Sequence, residues 1–175
     1  MTSRNSARRD ALASVAEARP VDTPHSHHWP DLAGRLQTDT RGRFHVLPVR
    51  VYFEDTDFSG LVYHASYVRW CERGRSDFLR LLGHDHAQLI SGASGRESSA
   101  FVVRRMTLDY LKPAKIDDVL EIETRPKTLT AASLTLSQII RRDGVTLFEA
   151  DVMVVLVSQS GKPLRLSADI KAALS

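Results

Sequence analysis

One amphipathic run of helical period, Ala65 to Leu82, is followed by four strand-like runs and by no second long helix. This order constrains the fold more than any other feature of the chain. Tyr67, Trp70, Cys71, Gly74, Phe78, Leu81 and Leu82 share one face of the helical run. Arg69, Glu72, Arg73, Ser76 and Arg80 share the other, so one side is built for burial and one for water. Gly83 is placed to cap the C-terminus, and Arg80 suits the negative end of the helix dipole. At 1.5 Å per residue such a helix is about 27 Å long, enough to cross a small sheet.

Before the helix, His45 to Phe53 reads as a strand through Val46, Val49, Val51 and Phe53, with Pro48 pointing to an early or edge position. After it come Ala100 to Leu111, Val119 to Thr124, Ser133 to Arg142 and the nearly all-apolar Thr146 to Val157. Asp143-Gly144 is a two-residue hairpin signal, and the long apolar strand after it suits a buried position in the sheet. His84 to Ser98 reads as a polar connection, and Ala168 to Leu174 as a closing short helix. Helix and strands are segregated, which predicts an α+β domain with one antiparallel sheet packed on one helix. Such a sheet leaves a face and edges uncovered, and dimerisation is the economical remedy.

The first part of the chain has a different composition. Met1 to Gly42 is rich in Ser, Thr, Arg, Asp and Pro and is read as a disordered extension, with the folded domain running from residue 43 to residue 175. Ala11 to Ala18 could form two helical turns, too few to stand alone in water. His25, His27 and His28 lie on this polar stretch without a rigid frame, so no metal site is assigned. A net charge of +3 is too small to mark nucleic acid as the main partner. Cys71 is the only cysteine, which excludes an internal disulfide and fits a reducing, cytoplasmic setting. No apolar run approaches the roughly 18 residues of a membrane span.

Chemistry concentrates between the first strand and the helix. Phe53-Glu54-Asp55-Thr56-Asp57-Phe58-Ser59-Gly60-Leu61-Val62-Tyr63-His64 places two carboxylates and a glycine beside the positive end of a helix. Such a turn can hold a carboxylate ionised and polarise a substrate carbonyl with backbone N–H groups. Asp55 and Asp57 also suit turn and cap roles, and Asp55 is read as structural. Glu72 is read as pairing with Arg69 or Arg75 at helical spacing. Cys71, on the apolar face, reads as a buried thiol. Tyr63, Tyr67 and Trp70 either line a substrate pocket or fill the core.

The element order, together with Asp57-Phe58-Ser59-Gly60-Leu61-Val62-Tyr63-His64-Ala65-Ser66-Tyr67, resembles the hotdog-fold thioesterases of the 4-hydroxybenzoyl-CoA thioesterase family. Its Tol–Pal-associated acyl-CoA thioesterase branch is the most similar. The resemblance runs from about Val49 to Val157 and includes Phe101 to Thr107 and Pro113 to Asp118. It implies a five-stranded antiparallel sheet wrapped on one long central helix. It implies hydrolysis of acyl-CoA to free acid and CoA, with no cofactor and no metal. Carried over by position, Asp57 is the catalytic acid, and the N–H at His64 binds the thioester oxygen while the His64 side chain joins the catalytic groups. Gly60, Val62, Tyr63 and Tyr67 are the candidate substrate-binding residues. The family tyrosine four residues before the aspartate is Phe53 here, and Tyr52 lies next to it on what would be the opposite strand face. A homodimer or homotetramer with sites at subunit interfaces is implied, with acyl carrier protein a second candidate partner. The alternative is a non-catalytic acyl-CoA or acyl-carrier-protein binding module tied to envelope lipid supply.

Overall fold

Asp143 and Gly144 both adopt positive φ, 50° and 77°, as a two-residue turn between twisted antiparallel strands requires. They join strands β5 (Ser133–Arg142) and β6 (Val145–Ser158), whose bounds follow the sequence pattern closely. The computed structural model describes residues 34–84, 86–92 and 97–174. Of the extension read over Met1 to Gly42, residues 1–33, with the short helix at Ala11 to Ala18 and the three histidines, lie outside the described residues.

The remaining strands are β1 (Arg35–Asp39), β2 (Gly42–Arg50), β3 (Ser99–Tyr110) and β4 (Val119–Leu129). The sheet runs in the order β1-β2-β4-β5-β6-β3, with every neighbouring pair antiparallel. It has six strands where the sequence pattern predicts five. The addition is β1, which forms a tight hairpin with β2 and lies inside the stretch Met1 to Gly42 that the sequence reads as a disordered extension, so that reading is corrected over residues 35–42. All five β1 residues are exposed, so they carry no apolar alternation to betray a strand. β4 also runs further than predicted, through Pro126, because the pairing shifts register between Pro126 and Thr128. A bulge there removes the need for a ladder N–H. Pro48 lies on an interior strand, yet past Val46, the last β2 residue matched to β1. Among the described residues no strand pairs with it on its β1 side, which suits a residue with no N–H.

The long helix, α1, spans His64–Leu81. Gly83, with φ of 84°, closes it: its N–H donates to Arg80 O at 2.9 Å and that of His84 to Leu79 O at 3.1 Å. The polar connection contains a short helix, α2 (His86–Ser91), and the chain closes with α3 (Ala168–Leu174). Tyr67, Trp70, Cys71 and Phe78 of α1 enter a core with Leu120, Ile122, Ile140, Leu147 and Phe148. Gly74 permits the closest approach, since a Cβ there would lie 2.9 Å from Thr124 Oγ1. Gln138, fully buried on β5, donates from Nε2 to Cys71 O and to Thr124 Oγ1, both at 2.8 Å. This polar tie sets the height of α1 over β4 and β5 in an otherwise apolar interface.

A second polar tie sits nearer the helix end. Asp77 is buried and accepts from His45 Nε2 at 2.7 Å, from Gly34 N at 2.7 Å and from Arg80. His45 is wholly buried, stacked near Phe78, and its Nδ1 has no hydrogen-bond partner among the described residues. The histidine is held below its usual pKa chiefly by burial, opposed by Asp77.

Candidate active site

The loop that carries Asp57 is folded by its own backbone. Phe53–Asp55 forms a single 3-10 turn in which Asp55 N–H donates to Tyr52 O and Tyr52 N–H donates to Asp55 Oδ2, each at 3.0 Å. Asp55 is buried, with Arg69 Nη2 3.6 Å from Oδ1, so the structural reading of this residue holds. Chain direction reverses next: Gly60 N–H donates to Asp57 O and Asp57 N–H to Leu61 O, both at 3.0 Å. Gly60 adopts φ of 78°, a conformation that a residue with a Cβ adopts only at a cost. The loop is then pinned from outside, by Val62 N–H on Ala114 O at 2.9 Å and Tyr63 N–H on Asp55 O at 2.8 Å. Helix α1 begins immediately, and its first-turn N–H groups have no carbonyl four residues back to bond.

The Asp57 side chain is exposed at this junction. Its Oδ1 accepts from Ser59 N at 2.8 Å and from Ser59 Oγ at 2.5 Å, while Oδ2 has no partner among the described residues. These two donors hold the carboxyl below its ordinary pKa, and the neighbouring His64 adds to the effect. The His64 ring is exposed, with Tyr63 4.3 Å away between centroids and Tyr110 edge-on at 6.4 Å. Tyr110 OH donates to His64 O at 3.1 Å, tying β3 to the first residue of the helix. An ionised carboxylate with one free oxygen therefore stands on the loop that leads into the N-terminus of α1, where Ser66 N–H is taken by Tyr63 O at 2.8 Å and the two N–H groups before it have no carbonyl four residues back, a pairing suited to attack on a carbonyl.

The other predicted residues occupy distinct shells. Gly60 and Tyr63 are exposed at the loop, and Val62 is buried beneath it. Tyr67 is only 3% exposed; its ring packs against Trp70, Tyr110 and Phe148, and its hydroxyl accepts Ala114 N–H at 2.8 Å. It belongs to the wall behind the loop. Phe53 is 81% exposed, and Tyr52 beside it is exposed too. Strand alternation does not separate these two, because β2 has ended at Arg50 and Phe53 begins the 3-10 turn. Glu72 differs from its expected pairing: Ser76 Oγ donates to it at 2.7 Å, Arg69 turns to Asp55 and Ser66, and Arg75 turns to Gln138. Cys71 is fully buried, and burial pushes its thiol up to about 12, which fits an inert thiol.

Ser59 and Tyr110 join the site without having been singled out in the sequence. Ser59 had a local signal, since an aspartate followed two residues later by a donor is an Asx-turn pattern. Tyr110 had none, because it reaches His64 from 46 positions away.

Residues 59–149 match the family model described as the thioesterase superfamily. The acyl-CoA thioester hydrolase YbgC of Escherichia coli O157:H7 is 45% identical over 127 residues, 71% of this chain and 91% of that one. The acyl-CoA thioesterase YbgC of Haemophilus influenzae is 38% identical over 127 residues, 72% of this chain and 90% of that one. Among solved structures, a probable thioesterase from Bartonella henselae is 45% identical with a TM-score of 0.68, covering 71% of this chain and 99% of its own. The chain belongs to the thioesterase superfamily and is a hotdog-fold thioester hydrolase.

Proposed function

We propose that the chain hydrolyses an acyl-CoA thioester to a free carboxylic acid and CoA, with Asp57 as the reacting carboxylate. The observation that carries this reading is the free Oδ2 of an ionised Asp57 beside the N-terminus of α1. The N–H at His64 receives the thioester oxygen as it gains charge, and the Asp57 carboxylate either adds to the carbonyl carbon or takes a proton from an attacking water. Collapse of the tetrahedral adduct breaks the C–S bond and expels the CoA thiolate. A simple thiol has a pKa near 8.5, so protonation of the leaving group is a modest demand. Direct attack gives a mixed anhydride that water then opens; where water attacks the aspartyl carbon, oxygen label from isotopically labelled water enters Asp57 in a single turnover. General-base action leaves Asp57 unlabelled.

His64 and Tyr63 flank the reacting position, Gly60 shapes the loop, and Val62 and Tyr67 form the wall behind it. Phe58 is fully exposed, and Phe53, Tyr52 and Tyr63 are also exposed around the same turn. A second copy of the chain, in a homodimer or homotetramer, would cover these aromatics and complete the site. The open edge of β3 is a further surface for such pairing. No described helix is long and apolar enough to cross a membrane, and the inert buried thiol fits action in the cytoplasm.

Thiol release measured on a panel of acyl-CoAs, from propionyl to palmitoyl and including aryl thioesters, tests the assignment. Turnover on one or more members supports it, and acyl carrier protein thioesters extend the same panel. Saturable binding without turnover on any member would make the chain a binding module instead.

A further inference from the structure

Arg69 stands in the second turn of α1 with its side chain 55% exposed, yet its guanidinium turns back to the base of the Asp57 loop. Nη2 donates to Ser66 Oγ at 2.8 Å and lies 3.6 Å from Asp55 Oδ1. Ser66 is wholly buried, and its hydroxyl passes the contact on by donating to Asp55 O at 3.2 Å. The same carbonyl oxygen accepts Tyr63 N–H at 2.8 Å, so both of its lone pairs are engaged. The two residues that meet there, Tyr63 and Ser66, bracket His64 and Ala65. Asp55 is also the first rung of a short antiparallel ladder. Tyr63 bonds Asp55, Val62 bridges Thr56, and Asp57 N–H donates to Leu61 O at 3.0 Å. The carboxylate of Asp55 fixes its own turn, since Oδ2 accepts Tyr52 N–H at 3.0 Å. Asp55 is thus the joint from which both the Asp57 segment and the start of α1 are held.

We propose that Arg69 is a positioning residue for thioester hydrolysis: through Ser66 and Asp55 it fixes the place of Asp57 relative to the N–H at His64. The inference rests on the roles given to Asp57 and His64 above. Asp57 stands at the far rung of the ladder and His64 follows the near one, so a tilt at Asp55 changes the distance between them. A misplacement of about 1 Å costs a reaction up to about a hundredfold in rate, so a small relaxation is readable in kcat. The guanidinium is closer to the Ser66 hydroxyl than to the Asp55 carboxylate, and an ion pair with a half-exposed partner adds little to folding. Its effect therefore falls on the geometry of the loop more than on the stability of the domain.

The test is steady-state hydrolysis of the best acyl-CoA by the full chain and by Arg69→Met, with thermal melts alongside. In the variant kcat should fall about tenfold or more while KM stays within about twofold and Tm drops by no more than about 4 °C. Arg69→Lys, which still offers Ser66 Oγ a charged donor, should recover part of the lost kcat. Ser66→Ala should lower kcat as well, and joining it to Arg69→Met should cost little more, because both changes cut one path. Arg73→Met removes the same charge about one turn further along the exposed face and should leave kcat unchanged. An unchanged kcat in Arg69→Met would overturn the proposal. A rise in KM alone would overturn it too, by making Arg69 a substrate contact. Equal losses in Arg69→Met and Arg73→Met would do the same, as a general effect of charge. Asp57→Asn separates this inference from the reading beneath it. A folded, inactive Asp57→Asn beside a fully active Arg69→Met would remove the positioning role alone, whereas a fully active Asp57→Asn would remove both.

Discussion

Ser59 donates both its backbone N–H and its hydroxyl to one oxygen of Asp57, Oδ1, at 2.8 Å and 2.5 Å. The other oxygen, Oδ2, has no partner among the described residues. Two donors on one oxygen stabilise the ionised form, so the carboxyl titrates below its ordinary range. With Asp57 as the reacting carboxylate proposed above, its ionised form is available throughout neutral pH, and activity should fall only as acid reaches that lowered pKa. Ser59→Ala removes the hydroxyl donor, and the acidic limb of the kcat/KM profile should move to higher pH. An unmoved limb would mean that Asp57 is not the group titrating there.

Tyr67 serves the site from behind. Its hydroxyl accepts the Ala114 N–H, and Ala114 O in turn accepts Val62 N–H at the base of the Asp57 loop. Tyr67→Phe leaves a buried N–H unpaired, at a cost of about 1–3 kcal/mol. At roughly 2–4 °C per kcal/mol for a domain of this size, Tm should drop by several degrees in a thermal melt.

Gly74 is where α1 meets β4. A Cβ there would approach Thr124 Oγ1 to 2.9 Å and Ile122 Cγ2 to 3.2 Å. Gly74→Ala should destabilise the domain by about 1–3 kcal/mol through overpacking. Thr124→Ala in the same chain relieves the closer contact, so the double variant should recover part of the loss in denaturant titration. The recovery is partial, because Gln138 Nε2 then loses its Thr124 acceptor.

The buried His45 gives stability a pH dependence. Its folded pKa is lowered by burial, so the native ring is neutral where the unfolded ring, near pKa 6.5, takes a proton. The unfolded state binds more protons in that window, so stability is fully present above about pH 6.5 and declines as pH falls below it. Asp77, also lowered, loses its contribution only further into acid. His45→Gln, which keeps a donor for Asp77, should flatten the slope between about pH 6.5 and pH 5 in urea unfolding.

Much of this architecture was legible because it is local in the chain. Strand β5, the Asp143-Gly144 turn and the end of α1 at Gly83 each announce themselves within a few residues, by alternation or by positive φ. The loop from Asp57 to His64 is equally local, which is why both ends of the candidate site could be named. Elements that failed to show have distant causes. Strand β1 has no buried side chain and exists because β2 offers it a ladder. Asp77 reads as a surface carboxylate on a helix until His45, 32 positions away, is folded against it. Tyr110 and Arg75 likewise acquire their contacts only through the sheet, and no local pattern encodes a contact of that kind.

The central claim is that Asp57 performs the chemistry beside the helix N-terminus. Its most direct test is hydrolysis of the best acyl-CoA substrate by wild type and by Asp57→Asn, with circular dichroism confirming that the variant is folded. Removing a carboxylate that acts in proton transfer should lower kcat by about 10²–10⁴-fold with little change in thermal stability. Equal turnover by the two folded proteins would contradict the assignment and place the catalytic group elsewhere.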